Sequence, residues 1–144
     1  MTVTVREATP SDYPVIFNFI RNELEYQSLD KTKFLQRMAM METDANYVTI
    51  VAEDSGGVVG FLGLHRGMAY NLDGAYIQIT ALAVSEHMQN QGIGNQLLAW
   101  VETYCRTNDI HKLTLNSSIR RSAAHSFYEK NGYSKLSYAF YKTL

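Results

Sequence analysis

The sequence predicts an α/β fold, a mixed α+β sheet of six to seven strands with about four helices. Three observations carry the prediction. β-rich runs alternate with stretches of helical period along the chain. One run, Tyr76–Val84, is uncharged and rich in strand formers, as a central strand buried on both faces should be. Directly after it a glycine-bearing turn, Gln89–Gly94, switches the apolar period from strand to helix.

Taken in order, Val3–Glu7 alternates branched apolar and polar residues and reads as a half-buried strand. Thr9-Pro10-Ser11-Asp12 is a turn and helix-start signal in which Ser11 or Asp12 can cap a first-turn amide. Ile16, Phe19, Ile20 and Leu24 then share one helical face, and Phe34, Leu35, Met38 and Met41 form a stripe on a second helix. Tyr47–Ala52 and Val58–Leu64 are strands of a hairpin joined through residues 53–57, followed by a polar loop at Gly67–Gly74. After the central strand, Ile93, Leu97, Leu98, Val101, Tyr104 and Cys105 line one side of a long helix. Lys112–Leu115 is a short strand and Ser122–Lys130 a helix, with Gly132 as its left-handed C′ residue. Tyr133–Leu144 alternates well enough to supply one or two closing strands.

The 144 residues fit one domain, 1–144, with no linker, repeat or low-complexity tract. Thirteen basic and fourteen acidic side chains leave a charge of -1, which argues against a surface that tracks nucleic acid. One cysteine rules out an internal disulfide, and no apolar run approaches the ~20 residues that cross a bilayer. The start MTVTVREATP has neither the basic nor the apolar region of a secretion signal, so a cytoplasmic protein is expected. His65, His87, His111 and His125 lack paired-ligand spacing, so no metal site is expected. Cys105 lies on the apolar helix face and reads as core rather than as a nucleophile.

Chemistry concentrates in Gln89-Asn90-Gln91-Gly92-Ile93-Gly94. Glycines admit a ligand close to the backbone, and the first turn of a helix presents unpaired N–H groups with partial positive charge. That combination suits a phosphate or pyrophosphate, although glycines that merely ease a tight helix start would look the same. A Walker A loop is excluded because Asn95 and Gln96 follow Gly94. A dinucleotide fingerprint fails because Leu97 occupies its third small position and residues 111–116 offer no acid.

The pattern Gln89-x-x-Gly92-x-Gly94 after a buried strand resembles the signature of the GNAT N-acetyltransferases. Ala124-His125-Ser126-Phe127-Tyr128-Glu129-Lys130-Asn131-Gly132-Tyr133 is similar to that family's second motif, and the likeness extends to the opening Val5–Asp12. The resemblance implies the GNAT acyl-CoA N-acyltransferase fold and acetyl-CoA as cosubstrate. Backbone groups of Leu82, Ala83 and Val84 would pair with the pantetheine arm, and amides of Gln89, Asn90, Gln91, Gly92, Ile93, Gly94 and Asn95 would hold the pyrophosphate. Tyr128 would protonate the departing thiolate. Arg121 stands where many members carry an asparagine, and it or Arg120 would reach a CoA phosphate instead.

The implied reaction is direct attack of a primary amine on the thioester, with backbone N–H groups near Leu82–Val84 as oxyanion donors. The central strand, Gln78-Ile79-Thr80-Ala81-Leu82, offers no basic side chain; His65, Glu23 and Asp73 are neighbouring alternatives to ordered water. Gly63-Leu64-His65, Gln96–Trp100, Arg121, Phe127-Tyr128 and the ending Phe140-x-Lys142-x-Leu144 look more like the aminoalkylphosphonate N-acetyltransferases than like the family at large. For such an acceptor His65, Arg66 and Arg120 are the cationic candidates. An aminoglycoside or polyamine would instead need acids such as Glu23, Glu25, Glu42, Asp44 or Asp73. A protein N-terminal or lysine acetyltransferase and a non-catalytic CoA-binding module complete the alternatives. By analogy with the family, a homodimer is expected.

Overall fold

The computed structural model describes residues 2–144. Five strands form one sheet in the order β1 (Thr4–Glu7), β2 (Tyr47–Asp54), β3 (Gly57–Met68), β4 (Ala75–Val84) and β5 (Leu113–Leu115). The helices are α1 (Tyr13–Asn22), α2 (Lys31–Glu42), α3 (Ile93–Thr107) and α4 (Ser122–Lys130). Neighbouring strands from β1 to β4 pair antiparallel. The chain divides between Thr114 and Leu115 into two compact units.

In the first unit the sheet is covered on both faces. Against one face, Ile16, Phe17 and Phe19 of α1 and Phe34 and Met38 of α2 pack with Val51, Phe61 and Ala83. Phe17 meets Phe34 at 5.4 Å and Phe19 meets Phe61 at 5.9 Å, centroid to centroid. The other face carries Ile50 and Leu62, paired across β2 and β3, beneath the Ile93, Leu97, Leu98 and Val101 stripe of α3. Cys105 closes that stripe, and burial pushes its thiol pKa up, as expected of an inert core thiol. Tyr104 is only half-buried and stacks on Trp100 at 5.7 Å.

The helix-start signal at Thr9–Asp12 works differently from the expected cap. Residues Pro10–Asp12 form a 3₁₀ turn, and the Asp12 carboxylate accepts the Thr9 N–H at 2.8 Å rather than an amide of α1. Arg6 donates to the same carboxylate at 2.8 and 3.0 Å and to Glu53 at 2.9 and 3.1 Å. Asp12 is only 6% exposed, and the Arg6 guanidinium holds its pKa below the usual aspartate range. Asp12→Ala therefore leaves Arg6 without its main partner and is expected to cost about 2 kcal/mol, the scale of lost hydrogen bonds to a charged group. The corresponding drop in melting temperature is about 7 °C. Stability from this group is present above the ordinary aspartate value near 3.9 and is lost as pH falls through the lowered folded value. Thermal melts between neutral and acid pH should show the variant's deficit shrinking only at that acid end.

Two expectations need correction. The sheet has five strands rather than six to seven, because no strand forms in Tyr133–Leu144. There Leu136, Tyr138 and Phe140 are each about nine-tenths exposed; alternation equips a segment to be a strand but does not provide the edge it must pair with. Nor is β4 buried on both faces throughout. Ile77, Ile79 and Ala83 are buried, Thr80 is exposed, and the remainder are half-buried.

Candidate active site

The break in alternation along β4 has a structural cause. Ile79 pairs with Leu64 and Ala81 with Gly63, so Thr80 is an extra residue bulged out of the ladder. Cross-strand partners share a face, and the bulge exchanges the faces of every residue after it. Ile79 thus lies on the α3 side with Leu64, whereas Ala83 lies on the α1/α2 side with Phe61. Sequence periodicity carries no sign of this bulge, since all these residues are apolar or small.

Beyond the bulge, Leu82, Ala83 and Val84 pair with Leu62, Phe61 and Gly60 of β3. On the other side β5 is only three residues long, and Lys112, just before it, accepts the Ile77 N–H at 2.9 Å. Three residues starting beside Ile77 cannot run to Val84, so the end of β4 has an outer edge of backbone groups that β5 does not reach. An extended ligand with amide groups fits such an edge as an added strand would.

The chain leaves β4 through a 3₁₀ turn at Glu86–Met88 and reaches α3 through an exposed loop, Gln89–Gly92. Two positive φ values shape this loop, 65° at Asn90 and 79° at Gly92. Gly92 is the N-cap of α3, and its carbonyl accepts the Gln96 N–H at 3.0 Å. Having no side chain, it leaves the first-turn amides of Ile93 and Gly94 uncapped. A Cβ on Gly92 would meet nothing within 4 Å beyond its chain neighbours, so the space beside this helix start is open. Gln89 ties the loop back to the strand through Nε2 donating to the Val84 carbonyl at 3.3 Å. The strand edge could therefore hold an extended amide-bearing ligand, and the amide cluster an anionic group.

In the second unit, α4 ends in a Schellman motif: Tyr133 N–H reaches the Tyr128 carbonyl at 3.1 Å and Gly132 N–H the Glu129 carbonyl at 3.1 Å. Gly132 takes φ 90°, the left-handed conformation expected for it. Tyr128 is half-buried between Phe127 at 5.4 Å and Tyr133 at 5.9 Å, both edge-on. Burial raises the pKa of its phenol, while the positive charge of Arg121 pulls the other way. Arg121 is the N-cap residue of α4 and accepts the His125 N–H; the Arg120 N–H donates to Ser118 Oγ at 3.3 Å.

The cationic candidates of β3 are not brought together. His65 pairs with Tyr47 and Gln78, its ring 4.9 Å from that of Tyr47, on the face carrying Phe61. Arg66 is paired with Ile77 on the opposite face. A different pair of cations, Lys33 and Arg37, lines a cavity of about 360 Å³ beside the α1–α2 connection. Their i, i+4 spacing was the available sequence signal. A smaller cavity of about 100 Å³ is lined by Glu7, Tyr13, Glu42 and Tyr47; burial and Glu42 push the Tyr13 phenol up. Among the described residues, no group of three His, Cys, Asp or Glu side chains is placed to hold a metal ion, and no helix is long and apolar enough to cross a membrane.

A strand edge running into a glycine-started helix is compatible with a CoA thioester, and the chain belongs to the Acetyltransferase (GNAT) family, whose sequence profile matches residues 5–133. It is an N-acetyltransferase that uses acetyl-CoA as cosubstrate. Over 138 residues it is 36% identical to the aminoalkylphosphonate N-acetyltransferase of Salmonella typhimurium, which covers 96% of this chain and 86% of that protein. An uncharacterized N-acetyltransferase of Bacillus subtilis, YhfO, is 30% identical over 139 residues, 91% of this chain and 89% of that one. Among solved structures, a transcriptional regulator from Bacillus halodurans matches with TM-score 0.90 at 22% identity, over 99% of this chain and 100% of that one. An aminoglycoside N-acetyltransferase solved with CoA matches with TM-score 0.86 at 10% identity, over 99% and 95%. These last two likenesses show the fold.

Proposed function

We propose that residues 1–144 act as one cytoplasmic acetyltransferase domain that acetylates the primary amine of a small molecule bearing a phosphonate. The observation that carries the acceptor class is the 36% identity to an aminoalkylphosphonate N-acetyltransferase, sustained over 96% of this chain. Acetyl-CoA supplies an activated acetyl group. Leu82, Ala83 and Val84 align it through backbone groups, the amides of Gln89–Asn95 hold its pyrophosphate, and Arg121 adds positive charge for a phosphate. Backbone N–H groups at the end of β4 receive the developing oxyanion, where fixed dipoles stabilise it without reorganisation. The Tyr128 hydroxyl gives its proton to the leaving thiolate; a pKa raised by burial keeps that proton in place at neutral pH.

Purified protein should release CoA thiol fastest with an aminoalkylphosphonate when this is compared with an aminoglycoside, a polyamine and a lysine peptide. Equal rates across the panel, or preference for a polycation, would remove the phosphonate reading. The polycation alternative rests on Glu7 and Glu42, which line the smaller cavity.

His65, Arg66 and Arg120 are the cations assigned to the phosphonate. Because His65 and Arg66 project from opposite faces of β3, one of the two at most faces a given phosphonate. Alanine at that position is expected to raise the acceptor KM about tenfold, the loss of one charge-assisted bond, and alanine at the other to leave it within about twofold. Steady-state kinetics of His65→Ala and Arg66→Ala separate them, and equal increases in both would contradict the face assignment. A homodimer is also proposed, with the Tyr133–Leu144 segment, exposed from Ser134 onward, as its contact; light scattering of the protein tests it.

A further inference from the structure

Gly60 of β3 lies directly opposite Val84, the last residue of β4, and is buried. A Cβ at this position would stand 3.0 Å from the Ala83 carbonyl oxygen and 3.4 Å from Cγ2 of both Val84 and Ile93. Ala83 and Val84 belong to the strand edge assigned to pantetheine; Ile93 is the first residue of α3, whose first turn is assigned to pyrophosphate. The chain emerging from β4 is also tied to β3 here, Ser85 N–H donating to the Val59 carbonyl at 2.8 Å. One absent methyl group thus sets the distance between β3, the end of β4 and the start of α3.

We propose that Gly60 is a positioning residue for acetyl-CoA, its missing side chain holding the two cofactor-binding backbone segments at the spacing that one ligand spans. The inference rests on the cofactor site proposed above. Gly60 differs in kind from Gly92. The latter is glycine because its φ is 79°, with open space around it; the former has no positive φ and is glycine for want of room. Rotation of a side chain cannot relieve a contact with the Ala83 carbonyl, so the backbone must shift by a few tenths of an ångström. The end of β4 takes that shift directly, and its spacing from the start of α3 changes with it.

The test compares Gly60→Ala with Gly74→Ala, the same chemical change at a position where a Cβ meets nothing within 4 Å. Gly60→Ala is expected to raise the acetyl-CoA dissociation constant and KM about tenfold, a modest share of the roughly hundredfold that a 1 Å misplacement can cost. The acceptor KM, and kcat at saturating acetyl-CoA, should stay within about threefold, and Gly74→Ala should match the native protein throughout. Should Gly60→Ala fold poorly, Gly60→Ala with Val84→Ala removes one of the three contacts, and the same split is expected in smaller measure. Native acetyl-CoA affinity in the folded Gly60 variant would overturn the inference, as would equal losses in kcat and both KM values, which mark a general structural defect. Gly92→Asp run alongside separates the two levels. If it loses affinity while the Gly60 variants do not, the inference alone fails; if it binds normally, the underlying site assignment fails and takes the inference with it.

Discussion

Gly92→Asp is expected to weaken acetyl-CoA binding about a hundredfold while leaving the fold intact, a loss equal to one or two charge-assisted hydrogen bonds of roughly 1.5–3 kcal/mol each. Aspartate tolerates the left-handed conformation that Gly92 adopts better than most residues do. Beyond the chain neighbours nothing lies within 4 Å of the new Cβ, so the cost is confined to the backbone conformation. Its carboxylate, however, enters the open space in front of the first turn of α3, where it competes with a pyrophosphate for the same N–H groups and repels it. Calorimetric titration with acetyl-CoA, paired with a thermal melt, distinguishes this from unfolding. Unchanged affinity would mean that the anion binds elsewhere.

Tyr128→Phe is expected to lower kcat about a hundredfold, the low end of what a positioned general acid contributes, with both KM values within about threefold. The pH profile carries the sharper evidence. The hydroxyl acts in its protonated form, so the native rate should hold through neutral pH and decline as pH rises through the phenol pKa. Burial places that value above the ordinary 10 or so. The phenylalanine variant should lack this alkaline limb. Because Arg121 lowers the same pKa, Arg121→Ala should move the limb to higher pH. A variant with native kcat and an unaltered alkaline limb would show that the proton comes from another group.

Much of this fold is legible in the chain, and the parts that are not share a physical reason. Ser122–Lys130 folds as the helix its pattern predicts, with Gly132 left-handed beyond it, because the signals there are local. The stripe of α3 is equally local, apart from Tyr104 at its margin. The bulge at Thr80 is not local: it exists only in the pairing of β4 with β3, and both sides of it read as acceptable strand. The same holds for His65 and Arg66, adjacent in sequence and similar in charge, yet sent to opposite faces. Gly60 shows the limit from another side. Its glycine is explained by Ala83 and Ile93, more than twenty residues further along the chain. Tyr133–Leu144 has the alternation of a strand, but whether a strand forms depends on an edge that the segment itself does not supply.

Amide hydrogen exchange with and without acetyl-CoA tests most directly where the cofactor sits. Exchange should slow at Leu82–Val84 and across Gln89–Asn95 together, with the β1–β2 end of the sheet unaffected. Protection confined to other segments, with these two unchanged at saturating acetyl-CoA, would contradict it.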